Sequence, residues 1–379
     1  MTETTVATEQ DRRHMRRALE LAERGRGLVN PNPLVGAVIV HPSTDRVLGE
    51  GWHAELGGIH AEVAAIADAA GREAEVTGAT IYVTLEPCAH QGRQPPCVEA
   101  LIAARLTRVV IGSDDPTEKA SGRGPGMLRD EGIEVSGLDG PEARDARLLN
   151  QAFRKHARTA RPLVALKSAI TLDGRTAPAS GQSKWISGDA SREQVHHWRA
   201  GFDAVAIGIN TALVDDALLT ARGVGATRQP ARVIFDSRAR LPLDSRLVKT
   251  ATEAPVIVIA GIEASSSAID GLTNHGIEVI VCDGEGPDRV TAALDQLGRR
   301  EITSVLLEGG ATLAGAFADA GELDELRLFV SPLLLGGAES RPLLAGSGAG
   351  SLSAADRALS LEWEASGDDL LLRARMREW

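Results

Sequence analysis

Residues 79–97 read ATIYVTLEPCAHQGRQPPC, and this stretch decides how the first half of the chain is interpreted. Its opening run, 79–85, is rich in β-branched and aromatic residues, which predicts a buried strand. Cys88 follows the end of that strand, and Cys97 opens a helix predicted over 97–105. The positive end of a helix favours a thiolate at that position. The glycine and prolines of the intervening loop allow both sulfurs to face one metal ion.

A third metal ligand is predicted in the triplet His60-Ala61-Glu62. One imidazole and two thiolates suit Zn²⁺ and leave the fourth tetrahedral position for water. Glu62 lies near the start of a helix predicted over 60–70, so it can face the site without binding the metal. A carboxylate there can accept a proton from zinc-bound water, whose pKa falls to about 7, and return it to a leaving amine. The pattern is typical of zinc deaminases, although eight residues separate the two cysteines here where the usual motif has two.

Strand and helix patterns alternate along the chain, which predicts layered α/β domains with a largely parallel sheet. In the first half, the remaining predicted elements are a helix at 12–24 and strands at 34–41 and 108–112. In the second half, strands are predicted at 163–170, 203–208, 231–236, 255–260, 277–281, 303–308 and 325–331, and helices at 189–200, 287–298 and 311–320. A basic, apolar-poor segment at 150–162 marks a boundary. We therefore expect a flexible tail at 1–10, a deaminase domain at 11–155 and a second domain at 160–379.

The composition argues against some classes of partner and location. A formal charge of −11, with no block of Lys or Arg, argues against nucleic-acid and anionic-membrane binding. No run of about 18 apolar residues is present, so no transmembrane helix is expected. The polar N-terminal segment is unlike a signal peptide. Three cysteines, Cys88, Cys97 and Cys282, do not suggest a disulfide framework and favour a reducing, cytoplasmic location.

The second half carries no G-x-G-x-x-G and no Walker lysine motif, so neither common phosphate fingerprint applies. The run LLEGGATLAG at 306–315 predicts a strand that ends near Glu308 and enters a helix through two glycines. Backbone N–H groups at such a helix start can bind an anion, although Gly-Gly after a strand is more often only a tight turn. Polar residues at 167–175 follow an apolar strand, where they can line a pocket. Arg199 and Arg222 are, each taken alone, more often solvated surface groups.

Three segments of the first half closely resemble the deaminase part of a bifunctional riboflavin biosynthesis family: PNPLVGAVIV (31–40), GEGWHAELGGIHAEV (49–63) and VTLEPCAHQGRQPPC (83–97). The family's extended loop between the cysteines distinguishes it from cytidine and tRNA deaminases. The resemblance implies a cytidine-deaminase-like, three-layer α/β domain and loss of a pyrimidine amine as ammonia. It also implies contacts with the phosphorylated substrate at Asn32, His53, His90 and Arg93, the last two near the ribose phosphate.

The motifs between about residues 163 and 340 resemble, as a set, the reductase domain of the same family, which is similar to dihydrofolate reductase and uses NADPH to reduce a ribosyl to a ribityl group. The resemblance implies substrate contacts at Ser183, Arg199, Leu219, Arg222 and Glu308. It implies cofactor contacts at Trp185, Thr211, Asp215, Ser237, Gly310, Ala311, Thr312, Leu313, Ala314 and Gly315. Lys167 and Asp173 fall on recurrent positions of unassigned role. Asp216-Ala217 replaces the usual Asn-Pro or Asp-Pro pair, and without the proline the loop around Asp215 is expected to be looser.

Two other hypotheses stay open from the residues alone. One is a zinc deaminase of another nucleoside or of RNA, with a second domain that is not a reductase; the acidic charge and the long loop argue against it. The other is a non-catalytic module with structural zinc, but such sites usually have four protein ligands and no adjacent carboxylate. Asn32 can equally be a turn residue between prolines, and His53 a structural histidine. A homodimer or higher homo-oligomer is expected only from the resemblance.

Overall fold

The computed structural model describes residues 7–92, 94–117, 120–181 and 186–379. The chain divides into two compact units between Thr159 and Ala160, and the terminal Trp379 belongs to the first unit. The division falls inside the basic segment at 150–162. No helix in these described ranges is long and apolar enough to cross a membrane.

The first unit is built on a five-stranded sheet, counted over the described residues. Its elements are α1 (Glu9–Glu23), β1 (Gly36–Val40), β2 (Val47–Trp52), α2 (Ala61–Gly71), β3 (Thr80–Val83), α3 (Cys97–Ala103), β4 (Arg108–Ile111), α4 (Arg123–Asp130), β5 (Glu134–Gly137), α5 (Pro141–Leu149) and α6 (Gln151–Thr159). The strand order is β2-β1-β3-β4-β5. Strands β3, β4 and β5 are parallel, but β1 is antiparallel to both β2 and β3. The expected largely parallel sheet is therefore corrected to a mixed one, because β1 and β2 follow each other as a hairpin.

Helices cover both faces of this sheet. Successive residues of a strand point to opposite faces. Ala37 and Ile39 pack with residues of α2, α3 and α4, whereas Val38 and Val40 pack with residues of α1. All four side chains are at most 1% exposed. The result is the three-layer α/β arrangement that the resemblance implied.

Helix α2 lies directly on strand β2, because two glycines remove the side chains that would separate them. A Cβ atom added at Gly49 or at Gly51 would overlap backbone atoms of Ala65. Glycine inside a strand commonly marks such a close approach of another backbone. These glycines set how closely α2 approaches β2, and therefore where His60 and Glu62 lie at the start of the helix.

Helix α1 begins earlier than expected, because Thr8 caps it. The Thr8 hydroxyl accepts a hydrogen bond from the backbone N–H of Asp11 at 3.1 Å, and the Asp11 carboxylate accepts one from the Thr8 N–H at 3.0 Å. This reciprocal capping box satisfies two donors at the helix start. The flexible tail expected at 1–10 is therefore wrong for residues 8–10, and residues 1–6 lie outside the described part of the chain.

We expect Asp11→Asn to lower the free energy of unfolding by about 3 kcal/mol, because a buried ion pair loses one partner. Asp11 is 2% exposed and accepts hydrogen bonds from the Tyr82 hydroxyl at 3.0 Å and from Arg108 at 2.8 Å. Burial alone would raise its pKa, but the hydrogen bonds from Arg108 and Thr8 outweigh burial and lower the pKa of Asp11 to about 2. Urea denaturation followed by circular dichroism measures the loss at pH 7.

The same substitution has a defined pH dependence. Because the folded-state pKa of Asp11 lies below the ordinary value of 3.8, its contribution is present above that value and is lost as the pH falls toward about 2. The stabilities of the native protein and of Asp11→Asn should therefore converge in acid. The control is Glu20→Gln, which breaks an exposed pair with Arg17 and should cost less than about 0.5 kcal/mol. Equal losses in both variants would contradict the prediction.

The second unit is built on a nine-stranded sheet in the described ranges. Its elements are β6 (Leu163–Thr171), β7 (Arg175–Ala177), α7 (Asp189–Gly201), β8 (Ala204–Gly208), α8 (Ile209–Asp215), β9 (Ala231–Phe235), α9 (Arg246–Lys249), β10 (Val256–Ala260), α10 (Ser266–Thr273), β11 (Glu278–Val281), α11 (Gly286–Gly298), β12 (Ser304–Leu307), α12 (Ala311–Asp319), β13 (Glu325–Ser331), β14 (Arg341–Pro342), β15 (Ser360–Ser366) and β16 (Asp369–Arg375). The order is β11-β10-β9-β8-β12-β6-β13-β16-β15, and β7 pairs with β14 in a separate ribbon. The seven strands and three helices predicted here are confirmed; β7 and β14–β16 were not predicted.

The seven strands from β11 to β13 in this order are mutually parallel, and β16 and β15 continue the sheet antiparallel. Because the strands are parallel, the residues that follow β6, β8, β9, β10 and β12 meet at one edge of the sheet. In open α/β sheets, ligands bind at that edge, outside the carboxyl ends of the strands. Most of the motif residues predicted in this half lie at or near this edge.

Candidate active sites

The three predicted zinc ligands meet at one point of the first unit. His60 is the residue before α2, Cys88 follows the end of β3, and Cys97 is the first residue of α3. His60 Nδ1 lies 3.1 Å from Cys97 Sγ and 3.5 Å from Cys88 Sγ, and the three ligand atoms all lie within 4.8 Å of one another. Tetrahedral ligands about 2.1–2.3 Å from a zinc ion lie roughly 3.5 Å apart, so the spacing fits this metal.

The thiol of Cys88 is prepared to ionise. The backbone N–H of Cys97, at the start of α3, donates to Cys88 Sγ at 3.3 Å. Hydrogen bonds from Cys97 and His60 lower the pKa of Cys88 and outweigh the opposing effect of burial. A thiolate is the form that binds zinc. The hydrogen bond that favours the Cys88 thiolate raises the pKa of Cys97, so the two thiols share one proton while the donor set of one imidazole and two sulfurs suits Zn²⁺.

Glu62 lies beside the ligand set without belonging to it. It is the second residue of α2, two residues after His60, and is 3% exposed. Burial raises the pKa of Glu62 to about 7, and its carboxylate also forms a hydrogen bond with Cys97. A buried carboxyl next to a metal site is the group that general acid–base catalysis requires.

Asn32 and His53 form a connected pair close to the ligands. Asn32 Nδ2 lies 3.1 Å from His53 Nε2, and His53 Nδ1 lies 3.1 Å from the carbonyl oxygen of Ile59. Since a carbonyl only accepts, Nδ1 carries the proton and Nε2 accepts from the amide of Asn32. Burial lowers the pKa of His53 and favours this neutral form. The rings of His53 and His60 stand 5.6 Å apart, so the pair borders the metal site.

The loop between the two cysteines is mostly exposed. His90 is exposed, and Arg93 lies outside the described residues. Gln94, which the sequence analysis missed, donates to the carbonyl oxygen of Gly57 at 3.0 Å and ties the loop to the segment before α2. A polar residue next to two prolines in such a loop was the available signal.

A buried carboxyl at Glu86 was also missed. Burial raises the pKa of Glu86 to about 7, while backbone N–H groups of Gly122 and Asp115 donate to its carboxylate. Its Oε1 atom has no hydrogen-bond partner in the described part of the chain. The signal was a charged residue directly before Pro87, at the end of an apolar strand. Glu86 holds the segment around Gly122 against the residues that precede Cys88.

In the second unit, Lys167, Arg199 and Glu308 form one charged cluster. Leu307 pairs with Leu166 across β12 and β6, so the residues that follow them, Glu308 and Lys167, lie side by side. Arg199 of α7 donates to both carboxylate oxygens of Glu308, at 2.7 and 2.8 Å. Burial lowers the pKa of Lys167, an effect that Glu308 opposes and Arg199 reinforces. The cluster carries two cations against one carboxylate, which suits an anionic ligand.

Thr220 joins this cluster to Arg222 through its carbonyl and hydroxyl oxygens. Arg199 donates to that oxygen at 3.3 Å, and Arg222 donates to the Thr220 hydroxyl at 2.9 Å. His196, a residue the sequence analysis missed, has its Nδ1 3.1 Å from the same carbonyl and 3.2 Å from the N–H of Arg222. Leu219 is buried with φ +57°, so a ligand contact there would come from its backbone.

The glycines after β12 leave backbone donors open at the start of α12. Thr211 Oγ1 lies 3.8 Å from the position that a Cβ would take at Gly310, so the starts of α8 and α12 are neighbours. The first backbone N–H groups of α12 have no partner within the helix, and they suit a pyrophosphate. Ala314 and Gly315 lie elsewhere: Ala314 packs in the core, and a Cβ at Gly315 would overlap the backbone of Ala345. Ala311, Thr312 and Leu313 remain at the open helix start.

The remaining predicted positions are distributed along the same edge. Asp215 ends α8, and Asp216 then takes φ +42° and accepts a hydrogen bond from the N–H of Arg246 at 2.8 Å. This hydrogen bond holds the loop after Asp215 in place, although the proline usual in the family is missing there. Asp173 accepts bonds from the Thr171 hydroxyl and from two backbone N–H groups at 335–336, which indicates a loop-organising role. Ser237 follows β9 and is described below, whereas Ser183 and Trp185 lie outside the described residues.

Comparisons with known proteins agree with this two-site arrangement. Residues 8–113 match the cytidine and deoxycytidylate deaminase zinc-binding region, and residues 162–372 match the RibD C-terminal domain. The riboflavin biosynthesis protein RibD of Actinobacillus pleuropneumoniae is 38% identical over 361 residues, covering 95% of this chain and 93% of its own. The match of residues 162–372 to the RibD C-terminal domain argues against the alternative in which the second domain is not a reductase.

Solved structures give the same result. Acinetobacter baumannii RibD superposes with a TM-score of 0.84 at 38% identity, covering 98% of this chain and 99% of its own. A diaminohydroxyphosphoribosylaminopyrimidine deaminase/5-amino-6-(5-phosphoribosylamino)uracil reductase of Thermotoga maritima gives 0.84 at 35% identity, with 97% and 99% covered. The chain therefore belongs to the RibD family of riboflavin biosynthesis proteins and combines a zinc-binding deaminase domain with an NADPH-dependent reductase domain.

Proposed function

We propose that this chain catalyses two consecutive steps on one phosphorylated pyrimidine. The first is hydrolytic deamination of 2,5-diamino-6-ribosylamino-4(3H)-pyrimidinone 5′-phosphate. The second is NADPH-dependent reduction of 5-amino-6-(5-phosphoribosylamino)uracil to the ribityl product. The observation that carries the proposal is the meeting of His60, Cys88 and Cys97 beside the buried carboxyl of Glu62.

In the deaminase step, His60, Cys88 and Cys97 hold the metal. Bound zinc supplies a Lewis acid that makes water nucleophilic at neutral pH. Glu62 accepts the proton that this water loses and delivers it to the departing amine. Asn32 and His53 orient the pyrimidine ring, with the amide of Asn32 itself oriented by Nε2 of His53. His90 and Arg93 bind the ribose phosphate from the loop between the cysteines.

In the reductase step, NADPH supplies the reducing equivalent, and the protein supplies position and charge. The start of α12, from Gly310 to Leu313, and Thr211 hold the cofactor phosphates. Trp185, Asp215 and Ser237 complete the cofactor contacts. Arg199 and Arg222 bind the 5′-phosphate of the substrate, while Glu308, Ser183 and the backbone at Leu219 hold its sugar. Lys167 lies next to Glu308 in this cluster, and we assign it no role in the reduction.

A stepwise assay tests both halves of the proposal. Purified zinc-loaded protein is mixed with the diaminopyrimidine phosphate, and ammonia is measured before NADPH is added. Cofactor absorbance at 340 nm is then followed. We expect one ammonia per substrate first, and NADPH oxidation only afterwards. Ammonia release without later NADPH oxidation would remove the reductase proposal, and turnover of cytidine alone would replace the substrate.

We also propose that the second unit pairs with a second copy of itself through the sheet edge at β15. One face of this strand carries the apolar residues Leu361, Trp363 and Ala365. Their cross-strand partners on β16 are also apolar: Ala374, Leu372 and Leu370. Leu361 is 56% exposed and Trp363 68%. Monomeric proteins rarely leave an apolar patch of this kind on an edge strand, because it invites pairing with another chain.

Trp363→Lys should weaken this association and raise the fraction of monomer. A charged side chain on the apolar face would have to be desolvated in the dimer. Sedimentation velocity across a concentration series should show a dissociation constant at least about tenfold higher than for the native protein. The control is Glu362→Lys, on the opposite face of β15. A native protein that stays monomeric at every concentration would contradict the pairing.

The reducing cytoplasm is the compartment we propose. All three cysteines are free thiols, and two of them are the proposed metal ligands. Oxidation of Cys88 and Cys97 would remove two of the three protein ligands, so the site needs a compartment that keeps thiols reduced.

A further inference from the structure

A second charged cluster lies at the carboxyl ends of strands β9 and β10, next to the edge strand β11. Ser237 follows β9 and Gly261 follows β10, and the N–H of Gly261 donates to the carbonyl oxygen of Ser237 at 2.9 Å. Arg289, in the first turn of α11, donates to both carboxylate oxygens of Glu263 at 3.0 Å each. The Ser237 hydroxyl also forms a hydrogen bond with that carboxylate. A hydroxyl, a carboxylate and a guanidinium therefore share one small site.

The two charged groups of this cluster differ in their exposure to solvent. The Arg289 side chain is 12% exposed, whereas that of Glu263 is 38% exposed. Arg289 Nε is buried and has no hydrogen-bond partner among the residues the structure describes. An unsatisfied buried donor costs free energy that a ligand acceptor can recover. The guanidinium is thus held in place with donor capacity to spare, while the carboxylate can turn toward solvent.

Next to Glu263 and Arg289, the chain at Gly261 presents only backbone atoms. A side chain at Gly261 would overlap both Glu263 and Arg289. Glycine therefore keeps the end of β10 open to close approach from above.

The position of the cluster suits one end of a dinucleotide. Neighbouring strands lie about 4.8 Å apart, so β9 and β10, two and three strands from β12, lie roughly 10–15 Å from the start of α12. With the pyrophosphate at α12, a cofactor laid across the strand ends brings its adenosine ribose over Ser237 and Glu263. In nucleotide-binding sheets, an acidic residue at a strand end binds the ribose 2′-hydroxyl of NAD, and an arginine nearby accommodates the 2′-phosphate of NADP.

We propose that Arg289 determines cofactor specificity by binding the 2′-phosphate of NADPH, and that Glu263 opposes this binding. The inference rests on the proposed cofactor position in the reductase step. The phosphate takes the place of the Glu263 carboxylate at the guanidinium, because the exposed carboxylate can leave and the buried arginine cannot. Glu263 remains next to Ser237, where it repels the phosphate and suits a free 2′-hydroxyl.

Binding of 2′,5′-ADP and 5′-AMP to the full-length protein, measured by isothermal titration calorimetry, tests this without turnover. The native protein should bind 2′,5′-ADP more tightly. Arg289→Met should lower the affinity for 2′,5′-ADP by about 10–100-fold, because a charge-assisted hydrogen bond to the 2′-phosphate is lost. The affinity for 5′-AMP, which has no 2′-phosphate, should stay unchanged. Glu263→Gln should raise the affinity for 2′,5′-ADP by about threefold, because it removes the charge that repels the 2′-phosphate.

Two controls keep the outcome interpretable. Arg300→Met breaks an exposed pair with Glu278 in the same unit and should change neither affinity. Glu263→Gln alters an exposed side chain, so its opposite effect does not depend on the folding of Arg289→Met. If the native protein oxidises NADPH with the pyrimidine substrate but Arg289→Met keeps the native affinity ratio, this inference is overturned and the reductase proposal stands. If the native protein neither binds these nucleotides nor oxidises NADPH, both are overturned.

Discussion

Glu62→Gln should lower the rate of ammonia release by about 10³-fold and leave zinc bound, because positioned general acid–base groups contribute about 10²–10⁴-fold. Glutamine keeps the shape of the side chain but cannot accept and return a proton. Glu62 is buried beside His60 and Cys97 without being one of the three clustered ligands. Metal content should therefore stay at one zinc per chain by atomic absorption. NADPH oxidation on the deaminated substrate should stay at the native rate.

Glu99→Gln is the matched control for this substitution. Glu99 lies in the first turn of α3, two residues after the ligand Cys97, but its side chain is exposed. The control should keep native ammonia release. A Glu62→Gln protein that still deaminates at the native rate would assign the proton transfer to another group. Loss of zinc together with activity would instead make Glu62 part of the metal-holding structure.

Arg199→Met should abolish most of the reductase activity, with a loss of at least about 100-fold, and destabilise the second unit by about 3–5 kcal/mol. The substitution removes the partner that donates to both oxygens of the buried Glu308. A carboxylate left unpaired in that position pays its desolvation cost without compensation. It also removes one cation from the proposed binding site of the 5′-phosphate. Thermal unfolding and steady-state kinetics with NADPH measure the two effects, and deamination should be unaffected.

The double variant Arg199→Met/Glu308→Leu separates stability from catalysis. Replacing a buried ion pair by apolar residues of similar volume is often neutral or stabilising, so the double variant should regain most of the lost stability. It should remain inactive as a reductase. Recovery of activity together with stability would mean that the pair only supports the fold. Arg300→Met is the control for loss of an exposed arginine.

The zinc site could be predicted from the sequence because its residues are chemically distinctive and close to secondary-structure ends. His60 and Glu62 share one helix start, and Cys88 and Cys97 flank one loop, so local patterns brought most of the site together. Local patterns did not predict the contacts that hold the segments around the zinc site in place. The carboxyl of Glu86 and the loop contact of Gln94 have partners about 30–40 residues away along the chain, at Gly122 and Gly57. Nothing in the spacing of the sequence predicts those pairings.

The reductase half was predicted less completely, for a related reason. Its parallel strands were recognised from apolar runs, but their order was not. That order places Glu308 next to Lys167, although about 140 residues separate them in the chain, and brings Arg199 to the same carboxylate. Within α12, Ala314 packs in the core and Gly315 lies against the backbone of Ala345, unlike the residues at the open start of the helix. A helix has several faces, and a run of small residues does not tell which face is buried.

By itself, then, the sequence predicted the ligand types and a candidate general base, and it determined the alternation of strands and helices along the chain. These follow from side-chain chemistry and from periodicities that act over a few residues. Only the tertiary structure decided the mixed pairing of β1, the ion pair of Arg199 with Glu308 and the meeting of Ser237, Glu263 and Arg289. Each of these depends on which strands become neighbours, and strand neighbours are chosen by the burial of whole faces rather than by any one residue.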